Sequence, residues 1–163
     1  FADFLKTIPE SERLNCQLII AGSGPEKNFY EDIVNRNKLN AHVQLKEWIP
    51  RAELLKIFQQ CSVFLFPSHD GAGMVVAEAL SVGVPVICLD NAGPGEFIDE
   101  LSGIAVQKTT VKETVRGLST AIQILYNNPS KLNAMREGAR KRFEEHFDWN
   151  RRGDKLNQIY QSL

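Results

Sequence analysis

The stretch VFLFPSHDGAGMVVAEALSVGVPVICL, residues 63–89, contains two apolar runs separated by a glycine-containing turn and a segment of helical period. The runs Val63–Phe66 and Val84–Leu89 are too short for helices and are apolar at successive positions, which is typical of strands buried on both faces of a parallel sheet. Between them, Gly73–Val82 has the periodicity of a helix. The stretch therefore predicts two central parallel strands joined by a crossover helix.

The same alternation of short apolar runs and helical segments continues on both sides of this stretch, and only helical patterns follow Lys108. This order predicts an α/β fold: a Rossmann-like parallel sheet with helices on both faces and a C-terminal helical extension. The further predicted strands are Cys16–Ala21, Val43–Leu45 and Ile104–Val106. The further predicted helices are Pro25–Lys38, Arg51–Gln60, Glu96–Glu100, Val111–Asn127, Ser130–His146 and Asn150–Leu163, with Ser130 and Asn150 as the N-caps of the last two.

Length and charge restrict the domain count and the partners. The 163 residues, 43% of them hydrophobic, suffice for one domain with a full core. The 19 basic and 20 acidic side chains give no overall field that would attract nucleic acid or an anionic membrane. No apolar run approaches the roughly 20 residues that span a bilayer, and the start of the chain lacks the basic residues of a signal peptide, so we expect a cytoplasmic protein.

Cysteines, histidines and basic residues point to structural roles. Cys16, Cys61 and Cys88 are far apart and lie beside apolar runs, which predicts buried thiols rather than disulfides. The three histidines have no second ligand at helical or turn spacing, so no metal site is predicted. The predicted helix Ser130–His146 interleaves basic and acidic residues, which favours a solvated face.

The segment Phe1–Ile8 resembles a helix without a beginning, because its apolar residues share one face and nothing caps its first turn. In a series of alternating strands and helices, such a helix follows a strand. We therefore expect the chain to be a fragment that is preceded by a strand, and by a further domain, in the native protein.

Gly22 and Gly24 follow the first predicted strand and precede Pro25, which fits the first position of a helix. Phosphate-binding turns of nucleotide-binding folds lie at this place. A dinucleotide fingerprint needs a third glycine where this chain has Lys27, which argues against NAD or FAD. Two interpretations remain: a tight strand-to-helix turn, or backbone near a ligand bound elsewhere along the carboxyl edge of the sheet.

The turn before the central predicted helix is the strongest candidate site. Gly71 and Gly73 allow a ligand to approach the backbone without meeting a β-carbon. The N–H groups from Gly73 to Val75 would face a phosphate at the positive end of the helix. Asp70 and Glu78 would bind sugar and ribose hydroxyls on either side, as a nucleotide sugar requires. The alternative is that Asp70 caps the helix and Glu78 is a buried, paired acid.

Other residues could contact the same ligand. His69 adjoins Asp70 and could donate to a phosphate or sugar oxygen, or it is an ordinary exposed turn histidine. Trp48 and Ile49 follow the strand Val43–Leu45 and could pack against a nucleobase, although core packing is the favoured interpretation for Trp48. The small-residue turn at Gly93–Glu96 is consistent equally with ligand binding and with plain turn formation.

Four motifs together resemble one family. They are Gly22-Ser-Gly-Pro, Pro67-Ser with Asp70-Gly-x-Gly and Glu78-Ala, Gly83-x-Pro-Val-Ile, and Gly93-Pro-Gly-Glu. This combination resembles the donor-binding domain of retaining GT-B glycosyltransferases of group 1. The resemblance implies transfer of a sugar from a nucleoside diphosphate to a glycan or glycolipid acceptor, as in polysaccharide or glycolipid assembly. It also implies retention at the anomeric carbon and no cofactor or essential metal, and it allows peripheral membrane association of the full-length protein.

The resemblance also implies roles for individual residues. Asp70, near the sugar hydroxyls and the anomeric centre, and Glu78, on the ribose, are the implied catalytic acids. Ala72, Gly73 and Met74 would offer backbone amides to the sugar and diphosphate, and Trp48 and Ile49 would lie beside the base. Asp70 is one methylene shorter than the glutamate usual in the family.

The basic residues that neutralise the diphosphate in such enzymes follow a first strand that would precede Phe1. The whole of residues 1–163 is therefore expected to be a donor-binding domain that lacks its first strand and its acceptor domain and is inactive alone. Two alternatives stay open, a nucleotide-sugar epimerase of the same fold and a non-catalytic nucleotide-binding module.

Overall fold

The computed structural model describes residues 1–68 and 73–162, and its contacts divide the chain into two compact units, Phe1–Leu54 and Leu55–Leu163. All strand pairs in the described residues are parallel. Strands and helices alternate as far as Gln107, and three helices follow. The predicted α/β fold, with parallel strands flanked by helices and a C-terminal helical extension, is therefore confirmed.

The first unit has a two-stranded sheet. Strand β1 (Leu18–Ala21) pairs with β2 (Val43–Lys46), with Leu18 opposite Val43. Two single-turn helices, α1 (Ala2–Leu5) and α2 (Glu10–Arg13), precede β1, and α3 (Lys27–Arg36) connects the strands. As the shared face of the N-terminal segment predicts, Phe4, Leu5 and Ile8 are buried.

The second unit has a three-stranded sheet in the order β3 (Phe64–Phe66), β4 (Val86–Asp90) and β5 (Gly103–Gln107). The second half of α4, a helix with the bounds Arg51–Gln60, belongs to this unit. The other helices are α5 (Met74–Ser81), α6 (Pro94–Phe97), α7 (Val111–Tyr126), α8 (Pro129–His146) and α9 (Trp149–Gln161).

Strand β4 is the buried centre of the second unit. Ile87 packs in one cluster with residues of α7 and α8, whereas Val86 and Cys88 alternate to the opposite face and are also fully buried. Phe64 lies opposite Val86 in the sheet, and its ring centroid is 4.9 Å from that of Phe58 on α4. Helices therefore cover both faces, as predicted.

Strand β3 is less buried than the sequence predicts. Each of its residues is only half-buried, and within the described residues β3 pairs with β4 alone, so it lies at the edge of the sheet. The prediction of two central strands is correct for β4 and wrong for β3. An apolar run indicates that a strand can be buried, but it does not indicate whether the strand pairs with one neighbouring strand or with two.

Three arginines of α8 reach the ends of other segments. Arg136 donates to the carbonyl of Cys61 (3.0 Å), Arg140 to that of Ser81 (2.6 Å), and Arg142 to that of Phe97 (3.1 Å). Each carbonyl lies at or just after the C-terminus of a helix, where backbone acceptors lack intrahelical partners. The prediction of a solvated face is therefore wrong for Arg136 and Arg142, which are half-buried, whereas Arg140 is exposed.

The last two helices have other N-caps than predicted. Asn128, not Ser130, caps α8, because Pro129 occupies the first helical position and the Asn128 side chain accepts from the amide of Lys131. Asp148, not Asn150, caps α9. The apolar residues of α9 that the structure describes are at least half exposed. No helix in the described part of the chain is long and apolar enough to cross a membrane.

The cysteines follow the predicted pattern only in part. All three are free thiols, but Cys88 alone is fully buried, and Cys16 and Cys61 are half-buried. Burial, with a smaller effect of the nearby Asp90 charge, raises the pKa of the Cys88 thiol to about 11. We infer that Cys88 is a core residue rather than a reactive group.

Two helical glycines should respond oppositely to substitution. A β-carbon on Gly138 of α8 would overlap the carbonyl of Leu101, so Gly138→Ala should lower the free energy of unfolding by about 1–3 kcal/mol. A β-carbon on Gly153 of α9 meets nothing within 4 Å, so Gly153→Ala should instead increase helix stability by about 0.5–1 kcal/mol. Urea denaturation and circular dichroism measure both effects, and equal behaviour of the two variants would contradict the packing of α8 against Leu101.

Candidate functional site

Helix α5 begins with backbone donors at its N-terminus. Gly73 precedes the helix in the left-handed region, with φ 56°, and is buried. Its carbonyl accepts from the amide of Val76 (2.8 Å). The amides of Met74 and Val75 belong to the first turn and have no intrahelical acceptor, and they lie at the positive end of the helix dipole. This end of α5 is suited to an anionic group.

The start of α6 lies directly against the start of α5. A β-carbon on Gly73 would be 3.2 Å from the nitrogen of Pro94 and 3.5 Å from the carbonyl carbon of Gly93. A β-carbon on Gly95 would be 3.2 Å from the carbonyl oxygen of Leu89, at the end of β4. The two turns therefore meet backbone to backbone. The motif Gly93-Pro-Gly could be recognised in the sequence as a turn. The sequence could not show that this turn lies against Gly73.

Glu78 lies one turn after Met74 on the same side of α5. The side chain of Met74 is 58% exposed and Glu78 is half-buried, whereas Val76, Ala77, Ala79 and Leu80 face the core. Glu78 is therefore at the accessible side of the helix, beyond the first turn, as the sequence suggests. The other predicted residues of this turn, His69, Asp70, Gly71 and Ala72, lie outside the described residues.

In the first unit, the loops after β1 and β2 are tied together. The amide of Gly22 donates to the carbonyl of Lys46 (3.0 Å), and the ammonium of Lys27 lies 2.7 Å from the Glu47 carboxylate. This pair lowers the pKa of Glu47 and raises the pKa of Lys27. β-Carbons on Gly22 and Gly24 would meet nothing within 4 Å, so the backbone of this turn is open.

Trp48 follows Glu47 and is 76% exposed, while Ile49 is half-buried. The prediction that Trp48 packs in the core is wrong. Strand β2 ends at Lys46, so Trp48 lies beyond the strand in a loop, between Glu47 and Ile49. An exposed indole is unusual enough to make Trp48 a candidate for contact with a ligand.

Within residues 1–68 and 73–162, no cluster of three or more histidine, cysteine, aspartate or glutamate side chains could hold a metal ion.

A family model described as glycosyl transferases group 1 matches residues 1–142. The chain belongs to the group 1 glycosyltransferases. It is 24% identical over 162 residues to a glycogen synthase of Mycobacterium tuberculosis, covering 97% of the chain and 38% of that protein. It is 26% identical over 170 residues to a GDP-mannose-dependent monoacylated alpha-(1-6)-phosphatidylinositol monomannoside mannosyltransferase of Corynebacterium glutamicum, covering 97% of the chain and 42% of the relative.

Solved structures have the same fold. The pneumococcal O-GlcNAc transferase GtfA, in complex with UDP and GlcNAc, matches with a TM-score of 0.82 at 24% identity, over 99% of the chain and 31% of GtfA. Anabaena HepE in complex with UDP matches with a TM-score of 0.77 at 19% identity, over 99% of the chain and 44% of HepE. These likenesses establish the GT-B type of α/β fold for this group 1 chain. The chain spans about two fifths of the length of the curated relatives named above.

The contact between the starts of α5 and α6 can be tested in this glycosyltransferase chain with glycine variants. Gly73→Ala should destabilise the protein by about 1–2 kcal/mol or more, because alanine must adopt a left-handed conformation and its methyl group presses on Pro94. Gly24→Ala is the matched control, since its β-carbon would meet nothing within 4 Å. Chemical denaturation measures both changes, and a neutral Gly73→Ala would contradict the described contact.

Trp48 provides a second test. Because its side chain is 76% exposed, Trp48→Ala should change the free energy of unfolding by no more than about 0.5 kcal/mol. Phe4, which is 2% exposed in the same unit, is the control, and Phe4→Ala should cost about 3–5 kcal/mol. A comparable decrease in the free energy of unfolding for both variants, measured by urea denaturation, would contradict the exposed position of Trp48.

Proposed function

We propose that the chain is the donor-binding part of a retaining, hexosyl-type glycosyltransferase, which moves a sugar from a nucleoside diphosphate sugar to a glycan or glycolipid. The observation that carries the proposal is the start of α5. Gly73 meets Gly93 and Pro94 through backbone alone, and the amides of Met74 and Val75 open at the positive end of the helix. Such a turn suits a diphosphate, because phosphate oxygens can accept hydrogen bonds from backbone amides where no side chain blocks their approach.

The named relatives support a nucleotide sugar as the ligand. The GtfA structure contains UDP and GlcNAc, HepE has been solved with UDP-glucose, and the mannosyltransferase of Corynebacterium glutamicum is described as dependent on GDP-mannose. Both uridine and guanosine occur among these ligands, and the three sugars differ. The proposal for this chain therefore names the nucleoside diphosphate sugar as a class.

The acids on either side of the α5 start have distinct proposed roles. Glu78, on the accessible side of the helix, accepts hydrogen bonds from the ribose hydroxyls. We assign Asp70 to the donor sugar and its anomeric centre, and His69 to a hydrogen bond donated to a phosphate or sugar oxygen. Gly71 is assigned the role of letting the ligand approach the backbone, and Ala72 offers its backbone amide to the sugar and diphosphate. Both acids hold the ligand; the amides of the turn stabilise the charge that grows on the leaving diphosphate while the sugar becomes oxocarbenium-like.

The nucleotide-binding roles that we propose for residues of the first unit are argued from the structure of that unit alone. Trp48 presents an exposed ring on which a base can stack, with Ile49 beside it in sequence. Gly22 and Gly24 leave the backbone open after β1, so a ligand can approach without meeting a β-carbon.

The remaining expectations for the whole protein are also proposals. We assign acceptor binding to a domain other than residues 1–163. We further propose a reaction without an essential metal or cofactor, a cytoplasmic location, and peripheral membrane contact where the acceptor is a lipid. The supporting fact is family membership together with the partial coverage of the relatives.

Titration calorimetry of the full-length protein with the diphosphates of uridine, guanosine and adenosine tests the proposal. At least one of them should bind. Glu78→Gln should weaken that binding by about 1.5–3 kcal/mol, or roughly tenfold to a hundredfold, because a hydrogen bond from a hydroxyl to a charged carboxylate is lost. Glu137→Gln, an exposed change on α8, is the control and should leave the affinity unchanged. Absence of binding by all three nucleotides, or equal affinity for the Glu78 variant and the wild type, would refute the assignment.

Product analysis separates the reaction classes. Transfer of a labelled sugar to an added acceptor by the full-length protein is the expected result, and residues 1–163 alone should show none. Isomerisation of the donor without an acceptor would instead indicate the epimerase. If Asp70→Asn and Glu78→Gln reduced nucleotide affinity without changing turnover per bound donor, the binding module would be favoured.

A further inference from the structure

Arg142 of α8 holds the C-terminal end of α6. Its Nε donates to the carbonyl of Phe97 (3.1 Å) and its Nη2 to the carbonyl of Glu96 (3.2 Å). The side chain is only 20% exposed. A planar guanidinium can serve both carbonyls from one position, which the single ammonium of a lysine cannot do with the same geometry.

The Arg142 guanidinium is itself oriented by a neighbouring carboxylate. Nη1 lies 3.7 Å from Oδ2 of Asp99. The other oxygen of Asp99 accepts from the hydroxyl of Ser102 (2.7 Å) and the amide of Leu101 (3.1 Å), and Ser102 is fully buried. The carboxylate is therefore fixed to the turn before β5, and it restricts the positions that Arg142 can adopt.

Helix α6 has only four residues, so a constraint on its end also acts on its beginning. Its last residue, Phe97, packs on Phe147 with ring centroids 4.7 Å apart, and its first, Pro94, lies against Gly73. Arg142 and Phe147 thus contact the C-terminal end of α6, while Gly73 contacts its first residue. A shift of α6 would move the backbone against which α5 begins.

We propose that Arg142 is a positioning residue for the phosphate-facing start of α5, acting through α6. This inference rests on the proposed function, because it concerns how well the Met74 and Val75 amides are placed for a diphosphate. Arg142 does not touch the ligand in this scheme. It fixes the distance between α6 and α5, and an error of about 1 Å in such placement can cost up to a hundredfold in function.

Arg136 offers a matched comparison on the same helix. It is also half-buried and donates to a backbone carbonyl, that of Cys61 at the end of α4, but it makes no described contact with α6. Loss of either arginine removes an arginine–carbonyl hydrogen bond from α8. Only loss of Arg142 should loosen the start of α5.

The experiment measures the affinity of the purified full-length protein for its preferred nucleoside diphosphate and for the corresponding nucleoside, together with urea denaturation. Arg142→Gln should raise the dissociation constant for the diphosphate about tenfold and leave that of the nucleoside unchanged. Arg142→Lys should cause a smaller loss of diphosphate affinity, since lysine keeps the positive charge and can still donate a hydrogen bond to one of the two carbonyls. Arg136→Gln should reduce stability to a similar extent but change the diphosphate affinity less than twofold.

Each outcome discriminates. If the wild type binds no nucleoside diphosphate, the proposed function fails and this inference with it. If the wild type binds but Arg142→Gln binds equally well, only the positioning role is refuted. Equal losses of affinity in the Arg142 and Arg136 variants would make Arg142 merely structural. Should Arg142→Gln not fold, the Arg142→Lys variant decides by the same comparison.

Discussion

The candidate site depends on a close backbone contact that leaves little room for a side chain. Gly73 sits in the left-handed region with Pro94 and Gly93 against the position where a β-carbon would be. Glycine suits this position because any other residue would have to adopt the left-handed conformation and press its β-carbon on Pro94. Gly73 is buried at this contact, whereas Met74, the first residue of α5, is 58% exposed.

The sheet brings the two turns to this contact. Phe66, at the end of β3, lies opposite Cys88 in β4, so neighbouring parallel strands deliver the chain to the same edge. In open parallel sheets, ligands bind beyond the carboxyl ends of the strands. The burial of β4 on both faces holds this edge, because neither Ile87 nor its neighbours Val86 and Cys88 can move without disturbing a packed layer.

Much of this arrangement could be predicted from the sequence, because it depends on local patterns. Within the described residues, alternating apolar runs and helical periods located every strand and every helix except α2 (Glu10–Arg13), and the glycines located the turn before α5. The exposure of Trp48, the edge position of β3 and the neighbour of Gly73 could not be predicted. They depend on which residues meet across tens of positions in the chain, and periodicity carries no such information. The cap of α8 was missed for a local reason, because Pro129 takes the first helical position and Asn128 therefore becomes the cap.

The arginines of α8 separate local from non-local information most clearly. Arg140 pairs with Glu144 and Lys141 with Glu145, four residues apart on one helix, as interleaved charges predict. The same helix also supplies donors to the carbonyls of Cys61, Ser81 and Phe97, at the ends of α4, α5 and α6. Those acceptors are available because the last turn of any helix leaves carbonyls without intrahelical partners. The role of a basic residue on α8 is therefore decided by the helix that ends beside it, and α8 donates hydrogen bonds to the C-terminal ends of both α5 and α6.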